Sequence, residues 1–316
     1  MSNKKFDVIV VGELNVDLIL NSIESFPEMG KEKIADEMNL MLGSSSAIFA
    51  SNLSALGAKV AFIGKIGNDY FGDLVIEELT RKNVDVGMII RDGNCKTGAT
   101  IILNYSEDRA MITHPGAMNE LTLNDITREK LSFAKHLHFS SYYLQNGMKN
   151  NVKDLFKLAK ENGLTTSFDM QWDPKEEWDM NYKNILPQVD VFFPNEQELL
   201  NLTNKKDIVM GLDELSKHSN NIVVKMNNKG SMSWSNNNFH SIKAFLNENV
   251  VDAIGAGDSF NAGFIFKYIQ GKDIKECQEF GNLMGAVNTT APGGTSAFND
   301  YEQIMKIAKE KFGYNK

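Results

Sequence analysis

The residues with the clearest capacity for chemistry are Gly255-Ala256-Gly257-Asp258, inside the stretch Val251-Asp252-Ala253-Ile254-Gly255-Ala256-Gly257-Asp258-Ser259-Phe260. Small residues keep side chains out of this turn. Backbone N–H groups at a helix start can then converge on negative oxygens, helped by the positive end of the helix dipole. A carboxylate is a poor resting neighbour for such an anion. Asp258 within the cradle therefore points to proton chemistry, most simply a general base that takes a proton from an attacking hydroxyl. An N-cap Asp on a glycine-rich helix entry is the plain alternative, and for these four residues taken alone it is the preferred one.

The elements that must position this turn follow from hydrophobic periodicity. Asp7 to Gly12 is a Val/Ile-rich run ending in Gly, the pattern of a strand buried on both faces of a parallel sheet. Glu13 to Leu20 alternates polar and apolar residues, which puts Glu13, Asn15 and Asp17 on one face beyond that strand's C-terminal end. Open α/β sheets bind ligands there, although a solvated edge strand has the same pattern. Gly43 to Gly57 reads as a Ser-capped helix of small residues, Lys59 to Gly64 as a strand and Asp69 to Arg81 as an amphipathic helix.

Between Val84 and Thr113 only strand-like pieces occur, Val86 to Ile90, Ala99 to Asn104 and Ala110 to Thr113, joined by turns at Asp92-Gly93-Asn94 and Glu107-Asp108-Arg109. With Asp17 to Leu20 and Met38 to Leu42 they are expected to form a small antiparallel sheet standing off the main one as a lid. After Gly116 the alternation resumes, with strands at 136–140, 165–169, 189–193 and 221–225 and helices at 148–162, 196–202, 257–270 and 274–290. The expected fold class is α/β, a doubly wound, mostly parallel sheet with helices on both faces plus a small β lid. The expected organisation is one domain over 1–316, its discontinuous lid drawn from about 13–20, 34–43 and 84–113.

A chain of 316 residues with 42% hydrophobic content can bury a large core, and a net charge of -8 without a Lys/Arg cluster argues against nucleic-acid and anionic-membrane partners. The N-terminal apolar run is too short for a signal peptide or a membrane span, so a cytoplasmic location is expected. Cys95 and Cys277 are far apart and have no metal-ligand spacing. His136 and His138 flank Leu137 on one face of a strand, which favours a structural role over a metal site.

With Gly43 to Gly57, Pro194-Asn195-Glu196-Gln197-Glu198 and Asp252 to Asp258 in this order, the chain resembles the ribokinase-like (phosphofructokinase-B) carbohydrate kinases from about Phe6 to Phe312. The family signature D-T-x-G-A-G-D departs here only at Ala253. The resemblance implies a ribokinase-like fold, ATP and Mg²⁺ as cofactors, Asp258 as catalytic base and the Gly255, Ala256, Gly257 and Asp258 backbone as anion hole. It implies that Asn195 and Glu198 serve the Mg²⁺ and phosphate water network, Glu198 through water, whereas residue types alone suit a capping box. It further implies that Lys225, Asn227 and Gly230 flank the nucleotide, with Asn227 in place of the usual Gly, and that Asn288 lines the adenine pocket. Asp252 and Ile254 correspond to a monovalent cation site for K⁺.

On the sugar side, Asp17 corresponds to the Asp that binds substrate hydroxyls, with Asn15 beside it. The family's G-G-x-x-x-N reads here as Gly43-Ser44-Ser45-Ser46-Ala47-Ile48, with Ser44 for the second Gly and Ile48 for the sugar-binding Asn. That change prevents transfer of ribose or fructose as the substrate. The expectation is an ATP-dependent kinase for a small sugar or sugar derivative, with a homodimer through the β lid carried as an option. A nucleoside kinase of the same fold and a non-catalytic sugar-binding regulatory protein are the rivals.

Overall fold

A computed structural model describes residues 4–105 and 108–315. Its strands are Phe6–Val11 (β1), Asn15–Asn21 (β2), Glu37–Leu42 (β3), Val60–Ile63 (β4), Lys65–Gly67 (β5), Ile90–Asp92 (β6), Gly98–Tyr105 (β7), Asp108–His114 (β8), Ala134–Ser140 (β9), Thr165–Asp169 (β10), Val191–Phe192 (β11), Asn221–Lys225 (β12), Ser231–Ser235 (β13) and Asn238–Ile242 (β14). Eight of them form the main sheet in the order β14-β13-β12-β11-β10-β9-β1-β4. From β12 to β4 every pairing is parallel; β13 and β14 close one edge as an antiparallel hairpin with Asn236 and Asn237 at its tip, both at positive φ.

Alternation along the buried strands divides the core in two. On β1, Ile9 and Val11 join the cluster containing Leu137, Phe156 and Phe168, whereas Val8 and Val10 join the cluster containing Phe49, Leu53 and Phe264. Helix Ser45–Ala55 (α1), helix Tyr70–Arg81 (α2) and helix Ala256–Tyr268 contribute to the second cluster, and helices Val152–Glu161 and Glu196–Thr203 to the first. This is the two-faced covering that a parallel sheet requires. The expected 148–162 helix is split at Asn150-Asn151 into Asn146–Lys149 and Val152–Glu161, as the poor helix propensity of Asn allows.

His136 and His138 do share a face of β9. His136 Nε2 and His138 Nδ1 both meet Ser167 Oγ, at 2.7 and 2.8 Å, and burial pushes both imidazoles down, so they stay neutral core groups.

The second sheet, β3-β2-β7-β8, departs from the expected antiparallel lid in two ways. It is mixed, because β2 and β7 run parallel. The chain leaves β2 through β3, α1, β4 and α2 before it returns, and a long crossover of that kind brings a strand back in the same direction. The expected piece at Val86 to Ile90 also lies elsewhere: Ile90–Asp92 pairs with β5 in a separate two-stranded ribbon. Of the turn expected at 107–109, Glu107 lies outside the described residues, and Arg109 is within β8.

In the main sheet, β1 has β4 on one side and β9 on the other, so successive crossovers diverge there. Open α/β sheets form their ligand crevice at the C-terminal ends of strands around such a switch point. Glu13, Ser141, Gln171, Asn195 and Met226 all follow strands at that edge.

Candidate active site

After Asp252, whose carboxylate accepts from Ile254 N at 2.9 Å and Gly293 N at 2.8 Å, the chain reverses at Gly255 and enters helix Ala256–Tyr268. Gly255 has φ +75°, and a Cβ there would lie 2.6 Å from Gly294 Cα, so both conformation and contact demand glycine. The N-cap is Gly255 and no side chain caps the helix. The capping alternative for Asp258 therefore fails: Asp258 is the third helical residue, buried, and its Oδ1 accepts from Gln171 Nε2 at 3.1 Å.

Charge around Asp258 is dense. Lys225 Nζ, at the end of β12, meets Asp169 Oδ2 at 2.5 Å, and Asn261 Nδ2 donates to the same oxygen at 2.5 Å. The ammonium also lies 3.8 Å from the point a Cβ on Gly257 would occupy, so it borders the turn. Burial pushes the Asp258 carboxyl up to about 8, Asp169 and Glu13 add to the rise, and Lys225 opposes it. Burial works to lower the Lys225 pKa, but the Asp169 and Glu198 carboxylates hold it above its ordinary value. Glu198 is likewise raised by burial and by Asp169.

Asp17 anchors the other side. Asn15 Nδ2 donates to Asp17 Oδ1 at 3.2 Å and to Thr100 Oγ1 at 2.8 Å, which ties the carboxylate to β7. Burial raises Asp17 to about 7, with Asn15 opposing and Glu13 contributing. A Cβ on Gly43 would stand 2.2 Å from Asp17 Oδ1, so glycine makes room for the carboxylate. Ser44 holds φ +70°, a conformation easier for glycine. Its hydroxyl is secured by Glu13, donating to the backbone oxygen at 2.6 Å and to Oε1 at 3.1 Å. Ile48 is 3% exposed and packs on Gly255 and Gly294. An apolar side chain thus joins the helix α1 to the turn at the place where an Asn was expected to face the ligand.

Asn195 and Glu198 form a complete capping box, with both reciprocal bonds at 2.8 Å. Glu198 is nevertheless buried beside Asp169, which a cap alone does not require. Asn227 at φ +51° and Gly230 at φ +95° make the left-handed turn that follows Lys225. Asn288 is fully buried; its amide donates to the Ile254 carbonyl at 2.6 Å and its oxygen accepts from Ser259 at 2.9 Å. The structure thus spends that side chain on bracing the turn. Among the described residues, no group of three or more His, Cys, Asp or Glu side chains could hold a metal ion, and no helix is long and apolar enough to cross a membrane.

Sequence reasoning assigned no role to Asp169, Gln171 or Asn261. Asp169 had a usable signal, a carboxylate ending a buried strand. Glu13, expected on one face with Asn15 and Asp17, precedes β2 and takes bonds from Ser44 and Ser46 at the start of α1, while its charge still raises Asp17. Gln171, which meets Asp258, has a backbone φ of +60° just after β10, a conformation that local sequence did not announce.

The pfkB family carbohydrate kinases match this sequence over residues 5–300, and the chain belongs to that family. It is 26% identical to the 5-dehydro-2-deoxygluconokinase of Clostridium perfringens, over 98% of this chain and 95% of the relative. Among solved structures, a putative Ribokinase II from E. coli in complex with ATP and Mg²⁺ superposes with TM-score 0.84 at 23% identity, covering 96% of this chain and 99% of the other. Adenosine kinase from Sinorhizobium meliloti superposes with TM-score 0.83 at 24% identity, covering 93% and 98%. The protein is a carbohydrate kinase with the ribokinase-like fold.

The raised Asp258 pKa has a consequence for stability. The carboxyl titrates at 3.8 when unperturbed and about 8 when folded, so the native state holds an extra proton between those values. Unfolding free energy must then fall as pH rises through that window. Asp258→Asn should remove that loss, giving a higher thermal midpoint than wild type at about pH 8 and a smaller gain at about pH 5. Equal pH slopes for the two proteins in thermal denaturation would show that Asp258 does not titrate this way.

Proposed function

We propose that this kinase transfers the γ-phosphoryl group of ATP to a hydroxyl of a small sugar or sugar derivative. Asp258 is the general base, and the backbone of Gly255, Ala256, Gly257 and Asp258 is the anion hole. The observation that carries the reading is the buried Asp258 carboxyl on the first turn of an uncapped helix, beside the Lys225 ammonium. A base whose pKa lies near the working pH combines availability with driving force. Asp17, Asn15, Gly43 and Ser44 bind the acceptor, and Ile48 limits which hydroxyls are paired. Lys225, Asn227, Gly230 and Asn195 serve the nucleotide, and Asn288 acts from behind the turn.

The E. coli neighbour bound to ATP and Mg²⁺ supports the cofactor assignment. Phosphate oxygens and water would hold the ion, with Glu198 acting through water, and it would neutralise charge between the transferred and leaving oxygens. A K⁺ ion fits less well. Both Asp252 oxygens already accept N–H groups and the Ile254 carbonyl already accepts from Asn288.

The second sheet acts as the lid of a single kinase domain, because Asp17 and Asn15 ride on β2 and close onto the acceptor from that side. Its outer face is apolar: register aligns Leu40, Leu18, Ile101 and Ile112, and Met38 and Ile112 are 67% and 64% exposed. A second copy of the chain covers this face in a homodimer. Nucleoside kinase activity is the second reading, favoured by Ile48 and by the adenosine kinase neighbour. The intact turn and Asp258 count against a non-catalytic role.

A coupled ADP assay across sugars, sugar acids and nucleosides separates the acceptors: turnover with sugars only is expected, and turnover with nucleosides only would transfer the proposal to the second reading. Asp258→Asn should lower kcat at least about 100-fold, and retention of more than about a tenth of wild-type kcat would remove Asp258 as base. Sedimentation should find wild type dimeric and Ile112→Asp monomeric at equal concentration. A monomeric wild type at tens of micromolar would remove the lid dimer.

A further inference from the structure

Lys82 closes α2 as its C-cap, yet it is only 5% exposed. Lysines are seldom buried without partners. Here Nζ donates to the backbone carbonyls of Phe298 at 2.5 Å and Thr295 at 3.0 Å. Burial lowers the amine to about 8, Arg81 adds to the fall and Glu78 opposes it, so the group remains mostly charged at neutral pH. A cation at a helix C-terminus is also favoured by the dipole of α2.

Those carbonyls belong to the loop that underlies the Gly255 turn. Gly293 N donates to Asp252 at the entry of the turn, a Cβ on Gly255 would lie 2.6 Å from Gly294 Cα, and a Cβ on Gly294 would collide with Ile48. The Gly294 carbonyl accepts from Asn52 of α1 at 2.8 Å, and Ile48 presses on Gly294 from the same helix. Gly293 also touches Met41 of β3, since a Cβ there would lie 2.6 Å from its sulfur. One loop thus joins the turn, α1 and the second sheet, and Lys82 fastens its far end to α2.

We infer that Lys82 is a positioning residue for phosphoryl transfer: its ammonium pins Thr295 and Phe298 so that Gly293 and Gly294 hold the Gly255 turn with its amides aimed at the transferred group. This rests on the turn being the anion hole. Small misplacement of such donors is costly, because their contribution depends on geometry prepared before the reaction.

The test compares wild type, Lys82→Arg and Lys82→Ala for kcat, both KM values and thermal midpoint, adding methylammonium or propylammonium to the alanine variant. Lys82→Ala should lose kcat about tenfold or more, with the acceptor KM within about twofold. Methylammonium or propylammonium should restore kcat, and tetramethylammonium, which has no N–H to donate, should not. Lys82→Arg should retain more kcat than Lys82→Ala. Unchanged kcat in Lys82→Ala overturns the inference. So does an amine that restores the thermal midpoint without restoring kcat, which also decides the case if Lys82→Ala folds only with amine present. Asp258→Asn assayed alongside separates the failures: if it stays active, the reading of the site falls; if it is inactive while Lys82→Ala is normal, only the role of Lys82 falls.

Discussion

The constraint on which the rest depends is unbalanced buried charge. Asp169, Asp258, Glu198 and Glu13 converge on the ends of the central strands and the first turn of one helix, and Lys225 is the ammonium among them. Such an arrangement opposes folding, since each buried carboxylate must be paired, hydrogen-bonded or protonated. The protein uses all three means. Asp169 is paired with Lys225 and bonded by Asn261, Glu13 is surrounded by Ser44 and Ser46, and Asp258 and Asp17 are driven toward their protonated forms.

Around this charge the backbone is packed without room for side chains. Gly255 and Gly294 are in contact, Gly43 yields to Asp17, and a Cβ on Gly12 would collide with Ser46. Each contact links a different pair of elements, so the turn, α1 and the second sheet are placed relative to one another by backbone thickness. Asn288 and Asn52 add hydrogen bonds across the same junction, Asn288 to Ile254 and Asn52 to Gly294. Precision of this kind suits chemistry that depends on position more than on new bonds to the protein.

Legibility followed locality. The β-α-β rhythm and the helix starts at Ser44, Asp69 and Asn195 could be read because caps, turns and alternation act within a few residues. Strand direction in the second sheet could not, because β2 and β7 pair across the long crossover of residues 22–97, and their own residues suit either direction. Gln171 was invisible for a related reason: its reach to Asp258 depends on a left-handed backbone that any residue can adopt if the fold compels it.

By itself the sequence determined the fold class and the Gly255 to Asp258 turn, since the spacing of small and acidic residues dictates what backbone they permit. It also determined that the acceptor side departs at Ser44 and Ile48 from the family pattern. Only the tertiary structure decided that Asp258 is not a cap, that Glu13 takes bonds from Ser44 and Ser46 at the start of α1, that Ile48 packs on the turn and that Lys82, closing α2 far from the turn in sequence, donates to its supporting loop. These outcomes are set by burial, electrostatic neighbours and backbone contact between segments distant in sequence, quantities that exist only once the chain has closed on itself.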